Sequence, residues 1–245
     1  MTSTNPARRG DPPSTGRATI RQQIGANTEG GATCDDGAVH VSILLFDDVD
    51  LLDAGGPLEV LVTANRLAER RGAEAPFEVD TVTMDGRAVT ALGGLGLHPS
   101  AAADVLERTD LLVVPGAVDL DGPLGDRAML EAIAAVGRRD GTTVASICTG
   151  AFLLAEVGLL DGRPWTTHWE DVDLLADRLG TDGATRGVRW VDAGPVVTGG
   201  ALSSGIATAL HLVERFVDRD LAERVANQLD HDWTETSSGG PVASS

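Results

Sequence analysis

The sequence predicts an α/β protein: a three-layer α/β/α sandwich around one mostly parallel sheet. Three observations carry this. Apolar, β-rich runs alternate with amphipathic runs of helical period from residue 39 to about residue 233. Several of the β-rich runs, VHVSILLF and LLVV among them, are apolar almost throughout, as strands covered on both faces are. Finally, 42% of the 245 residues are hydrophobic while only 3% are aromatic and none is Tyr. A sizeable core is therefore available, built from Ala, Val, Leu and Ile.

The elements follow in order. Residues 1–37 are rich in Gly, Pro, Ser, Thr and Asn and are predicted to be a disordered tail. VHVSILLF (39–46) is a buried strand, and GPLEVLVTANRLAERRG (56–72) a helix stopping at Gly72. Gly55 and Gly56 are expected to turn the chain tightly into that helix. FEVDTVTM (77–84) is a second strand, and DLLVVPGA (110–117) a third, closed by a Pro115-Gly116 turn. GPLGDRAMLEAIAAVGRRDG (122–141) reads as one helix with Pro123 in its first turn. TTVASI (142–147) is a strand, followed by Cys148 and the helix TGAFLLAEVG (149–158). WEDVDLLADRLG (169–180) is a helix, GVRWVDAGPVVTGG (187–200) a hairpin or strand pair, and 203–231 one or two closing helices. Residues 38–233 form a single predicted domain, and 234–245 a flexible C-terminal tail.

The formal net charge is −18, and all 19 basic residues are Arg. Such a surface repels phosphate backbones, which excludes nucleic acid as a partner. No apolar run reaches the ~18 residues of a membrane span, and the N-terminus lacks the apolar centre of a signal peptide. A cytoplasmic protein is expected. Two cysteines in that compartment do not make a disulfide framework, and Cys34, in the polar tail, reads as incidental.

Cys148 stands where a strand meets a helix, at the sheet edge where α/β proteins place their ligands. Its neighbours at minus two and plus two, Ser146 and Gly150, are small, which a nucleophile elbow requires. A helix N-terminus beside the sulfur favours thiolate, the nucleophilic form. The bland alternative is a buried cysteine acting as a small hydrophobe. Asp53 follows the first strand and falls at the same edge. It reads either as a helix cap or as a carboxyl facing the sulfur. His168, in Thr166-Thr167-His168-Trp169, reads as a capping or core histidine or as an auxiliary site residue. Gly199 and Gly200 mark a tight turn, either a strand end or a substrate contact. His40, His98, His211 and His231 show no metal-ligand spacing, so no metal is expected. The absence of GxxxxGK[ST], and of GxGxxG after a strand, gives no sign of a cofactor.

ICTGAFLLAEVGLLDGRPWTTHW, together with LLFDDVDLLDAGGPLEV, LLVVPGA and VVTGGALSSGIATALHLVERF, resembles the ThiJ/PfpI superfamily. That resemblance implies a glutamine amidotransferase-like, flavodoxin-like fold over about residues 39–233. It is nearest to isonitrile hydratases and to the amidotransferase-like domain of AraC-type regulators. It implies that Asp53 meets Cys148 and shuttles a proton, with the Asp53 pKa raised because two like charges in a dry pocket cannot both ionise cheaply. Peptidases of the superfamily carry His directly after the cysteine; Thr149 here argues against proteolysis. An oxyanion pocket is expected from the Thr149 N–H and an N–H of Gly116 or Ala117. The Thr149 hydroxyl would hold water or developing charge. Where the superfamily usually has two glycines this chain has Gly116 then Ala117, which fits only if Ala117 has negative φ. The expected activity is addition of water to an isocyanide, giving an N-substituted formamide through a thioimidate on Cys148. The alternatives are a glyoxalase- or deglycase-like activity on reactive carbonyls, or a non-enzymatic sensor. The partner expected is a small-molecule substrate, on a homodimer. With only a polar tail after Trp233, the DNA-binding version is disfavoured.

Overall fold

The structure, a computed structural model, describes residues 37–235. The expectations for Cys34, for all of the N-terminal tail but Gly37 and for the C-terminal tail beyond residue 235 lie outside the described residues.

Seven strands form one sheet. In chain order they are β1 (Val39–Leu44), β2 (Phe77–Thr83), β5 (Ala101–Ala102), β6 (Leu111–Val114), β7 (Thr143–Ile147), β8 (Trp190–Asp192) and β9 (Val196–Gly199). Their spatial order is β5-β2-β1-β6-β7-β9-β8. Every pairing is parallel except β8 with β9, which form the expected hairpin. A separate antiparallel ribbon pairs β3 (Val89–Thr90) with β4 (Gly96–Leu97). The helices are α1 (Leu51–Glu69), α2 (Asp121–Gly125), α3 (Arg127–Gly137), α4 (Gly150–Glu156), α5 (Val172–Leu179), α6 (Ser204–Phe216) and α7 (Arg219–Gln228), with a 3₁₀ turn over Ala103–Arg108.

The period-two geometry of a strand accounts for the continuous apolar runs. Val41, Ile43, Leu111, Val113, Ala145, Ile147 and Val197 pack on one face with residues of α1, α6 and α7. Leu44, Leu112, Val114, Val144 and Val196 pack on the other with residues of α3, α4 and α5. β1, β6, β7 and β9 thus each feed two cores.

Two expectations are corrected. The first helix begins at Leu51, so Gly55 and Gly56 are helical, not a turn. A Cβ on Gly56 would lie 3.2 Å from Ile206 Cγ1, so Gly56 gives α6 its close approach. The 122–141 segment is two helices, because Asp126 leaves helical geometry and its side chain accepts the Met129 N–H at 3.0 Å, capping α3. Among the described residues, no helix is long and apolar enough to cross a membrane.

Candidate active site

β1, β6, β7 and β9 all end at one edge of the sheet, and their following segments converge on Cys148. The cysteine has φ 56°, a left-handed conformation that costs an L-residue roughly 1–2 kcal/mol. Its surroundings hold it there. Its N–H donates to the carbonyls of Gly199 (3.1 Å) and Gly200 (2.9 Å). Its own carbonyl accepts the Thr167 hydroxyl at 2.8 Å. The small residue at plus two has a visible reason: a Cβ on Gly150 would collide with the Val114 carbonyl and come within 2.9 Å of that of Pro115. Cys148 is 3% exposed and its thiol is free.

Asp53 occupies the first turn of α1 and is fully buried. Its Oδ2 accepts the Gly116 N–H at 3.1 Å, while Oδ1 is buried with no hydrogen-bond partner. Asp50, the residue before α1, is 7% exposed. Ligand atoms of Asp50, Asp53 and Cys148 all lie within 4.8 Å of one another. Burial above all pushes the Asp53 carboxyl up to about 7, with Asp50 adding to the rise. The Gly116 N–H and the Cys148 thiol pull the other way, since both stabilise the carboxylate. Desolvation thus dominates, where the resemblance pointed to like-charge repulsion.

The expected resting thiolate is corrected. Burial pushes the Cys148 thiol well up, and the Asp53 and Asp50 carboxyls push it further. The backbone N–H groups of Thr149 and Leu202 favour the ionised sulfur but do not outweigh burial. The resting pair therefore keeps its proton. For the same reason Cys148 and Asp53 are poor cation ligands: a metal ion would first have to displace the proton that burial holds on the pair.

The remaining expected site residues divide. Gly116 belongs to the turn after β6, where an added Cβ would collide with the Thr149 hydroxyl and lie 2.8 Å from Thr149 N. Ala117 is buried and is not among the residues of positive φ, so its Cβ is tolerated. The N–H groups of this turn are already committed, Gly116 to Asp53 and Ala117 to Thr149 Oγ1 at 3.0 Å. The Thr149 hydroxyl in turn donates to the Ala117 carbonyl at 2.7 Å. The backbone N–H groups that face the sulfur are those of Thr149 and Leu202. Gly199 and Gly200 hold the Cys148 backbone through their carbonyls. Burial raises the Asp50 carboxyl above its usual range, and His168, acting on it by charge, offsets part of that rise. The His168 Nδ1 lies 3.4 Å from Asp171 Oδ2 and 3.8 Å from Glu170 Oε2. Sequence reasoning missed Asp50, Leu202 and Thr167.

The profile of the DJ-1/PfpI family matches residues 39–218. The chain is 32% identical over 194 residues to an isonitrile hydratase from Pseudomonas putida, covering 79% of each protein. It is 29% identical over 202 residues to the HTH-type transcriptional regulator GbdR of Pseudomonas aeruginosa, covering 78% of this chain and 53% of the regulator. Among solved structures, a ThiJ/PfpI family protein from Pseudomonas syringae is alike in fold, with a TM-score of 0.69 at 24% identity over 83% of this chain and 79% of that one.

Proposed function

The chain belongs to the DJ-1/PfpI family, and from that premise we propose that it is a cysteine-dependent hydratase converting an isocyanide and water into an N-substituted formamide. One observation carries the reading. Asp53 is a fully buried carboxyl with one oxygen free, set against the only described cysteine and pushed up to about 7. A group poised there takes and returns a proton at neutral pH. Identity to the P. putida isonitrile hydratase over four-fifths of the chain supports the substrate class.

The chemistry balances on this pair. Ionised Asp53 takes the Cys148 proton, and the sulfur bonds to the terminal isocyanide carbon. Asp53 returns the proton to that carbon, leaving a thioimidate, R–N=CH–S. Water then adds to the carbon, its proton passing through Asp53 to the nitrogen. The tetrahedral intermediate loses its hydroxyl proton, the C–S bond breaks, and R–NH–CHO leaves as Cys148 regains a proton. The N–H groups of Thr149 and Leu202 stabilise the sulfur while it is charged. The Thr149 hydroxyl is already hydrogen-bonded to Ala117, so its part is to position the elbow.

The test is incubation with an alkyl isocyanide, with the formamide followed by NMR. Cys148→Ala and Asp53→Asn are expected to lose at least ~100-fold, the scale of a positioned acid–base group. Formamide production that survives Cys148→Ala overturns the reading. Methylglyoxal run in parallel separates the carbonyl-directed alternative, which would yield lactate and no formamide.

A second reading, a sensing module, is favoured by the likeness to GbdR, of which the chain spans about half. Under it the chain turns over neither substrate, and Cys148 reports a ligand or an oxidant.

A further inference from the structure

Asp50 holds a position that does not suit its usual task. It directly precedes α1, where an aspartate ordinarily caps the helix by accepting a backbone N–H two or three residues on. Its side chain makes no such bond. The carboxyl is turned inward instead, with an oxygen inside the 4.8 Å grouping formed with Cys148 and Asp53. The backbone fixes it there: the Asp50 N–H donates to the Gly116 carbonyl at 2.9 Å, and the Asp50 carbonyl accepts the Asp53 N–H at 3.0 Å. The turn that receives the Asp50 N–H is therefore the one whose Gly116 N–H grips Asp53. Forgoing a cap to bury a carboxyl beside another carboxyl and a thiol is costly, unless that charge has work to do.

The groups facing Asp50 are few. On the inner side are Asp53 and Cys148. His168, with a side chain 15% exposed and its Nδ1 near Asp171 and Glu170, also acts on Asp50 by charge. Beside the proton-sharing pair the Asp50 carboxylate acts by charge, with no side-chain hydrogen bond to either member. We propose that Asp50 is a positioning residue acting through Asp53: its negative charge obliges the Cys148–Asp53 pair to retain a proton and so sets the pH at which the thiol becomes reactive. The direction agrees with the rise that Asp50 imposes on both partners. The proposal rests on Cys148 and Asp53 being the reacting pair, and not on the isocyanide being the substrate.

The test needs no substrate. The full-length chain is alkylated with iodoacetamide across a pH series, and labelling is read by peptide mass at Cys148, because Cys34 also carries a thiol. Thermal unfolding checks that each variant is folded. Asp50→Asn is expected to lower the pH midpoint of Cys148 labelling by about one unit, the scale of a like charge at this range. One unit below the wild-type midpoint, the variant then labels about fivefold faster. Asp50→Glu, which restores the charge, is expected to return the midpoint to the wild-type value. Should Asp50→Asn not fold, Asp50→Ser is read in the same way. A midpoint unchanged or raised in the neutral variant overturns the proposal, and so does an equal fall in Asp50→Glu, which would make packing the cause. A chain that forms no formamide sinks the substrate reading while leaving this labelling result standing.

Discussion

The Gly116 N–H donates to Asp53 Oδ2 at 3.1 Å, and the other oxygen of that carboxyl is buried without a partner. One turn thereby decides which Asp53 oxygen the backbone holds and which is left without a partner. Gly116 is there because the turn passes too close to Thr149 and Asp53 for a side chain. An added Cβ would lie 2.8 Å from Thr149 N and 3.0 Å from Asp53 Oδ2. Gly116→Ala is therefore expected to destabilise the fold by about 1–3 kcal/mol, and to slow formamide release more than the thermal shift explains. A variant with wild-type activity and melting temperature would show that the turn has slack.

Asp53 also sets the pH profile of turnover. The pair is active when Asp53 is ionised and the thiol is still protonated, because the carboxylate must accept the thiol proton. With Asp53 pushed up to about 7, kcat/KM is expected to rise with pH through about 7 and then level. Asp53→Asn should be slow and flat across the same range. A wild-type profile already level from pH 5 upward would remove Asp53 from the proton transfer.

The same shift acts on stability with the opposite slope. Unfolded, Asp53 ionises near pH 4, at about 3.9; folded, it keeps its proton to about 7. Between those values the folded state binds the extra proton, so stability falls as pH rises through that window. The contribution is fully present below the unfolded value and gone above the folded one. Three units correspond to roughly 4 kcal/mol as an upper bound. Asp53→Asn lacks this contribution. Urea unfolding at pH 4.5 and pH 8 should therefore show the wild type losing more stability between the two than the variant does. Parallel losses would mean that Asp53 titrates alike in both states.

What the sequence made legible follows the physics of its signals. Cys148 was visible because an elbow needs small neighbours, and Gly150 is fixed by that steric demand. The strands were visible because covering a sheet on both faces leaves an unbroken apolar run. Asp50 was not, since Asp47, Asp48, Asp50 and Asp53 share one acidic stretch and only the fold decides which carboxyls turn inward. Leu202 was invisible for a different reason: it contributes a backbone N–H, which every residue but proline carries. The two-residue strands at Val89, Gly96 and Ala101 have too little sequence to show a period. The protonation of Cys148 was misread because helix position argues for thiolate while burial, which is known only from the fold, argues more strongly against it.

Thr149 is the residue whose expected role the geometry changes most. Its hydroxyl donates to the Ala117 carbonyl at 2.7 Å and accepts the Ala117 N–H at 3.0 Å, both buried. It thus ties the elbow to the turn that carries Gly116. Thr149→Val keeps the shape but strands a buried N–H and a buried carbonyl, at about 1–3 kcal/mol for each unsatisfied group. Thr149→Ser keeps both bonds and loses only a methyl. Urea unfolding is therefore expected to separate the two variants by at least ~2 kcal/mol, with Ser close to wild type. Formamide formation should follow the same order, because a loosened turn lets Asp53 drift from the sulfur. If Thr149→Val is as stable as Thr149→Ser yet inactive, the hydroxyl is reaching the substrate or its water after all, and the positioning role assigned to it here fails.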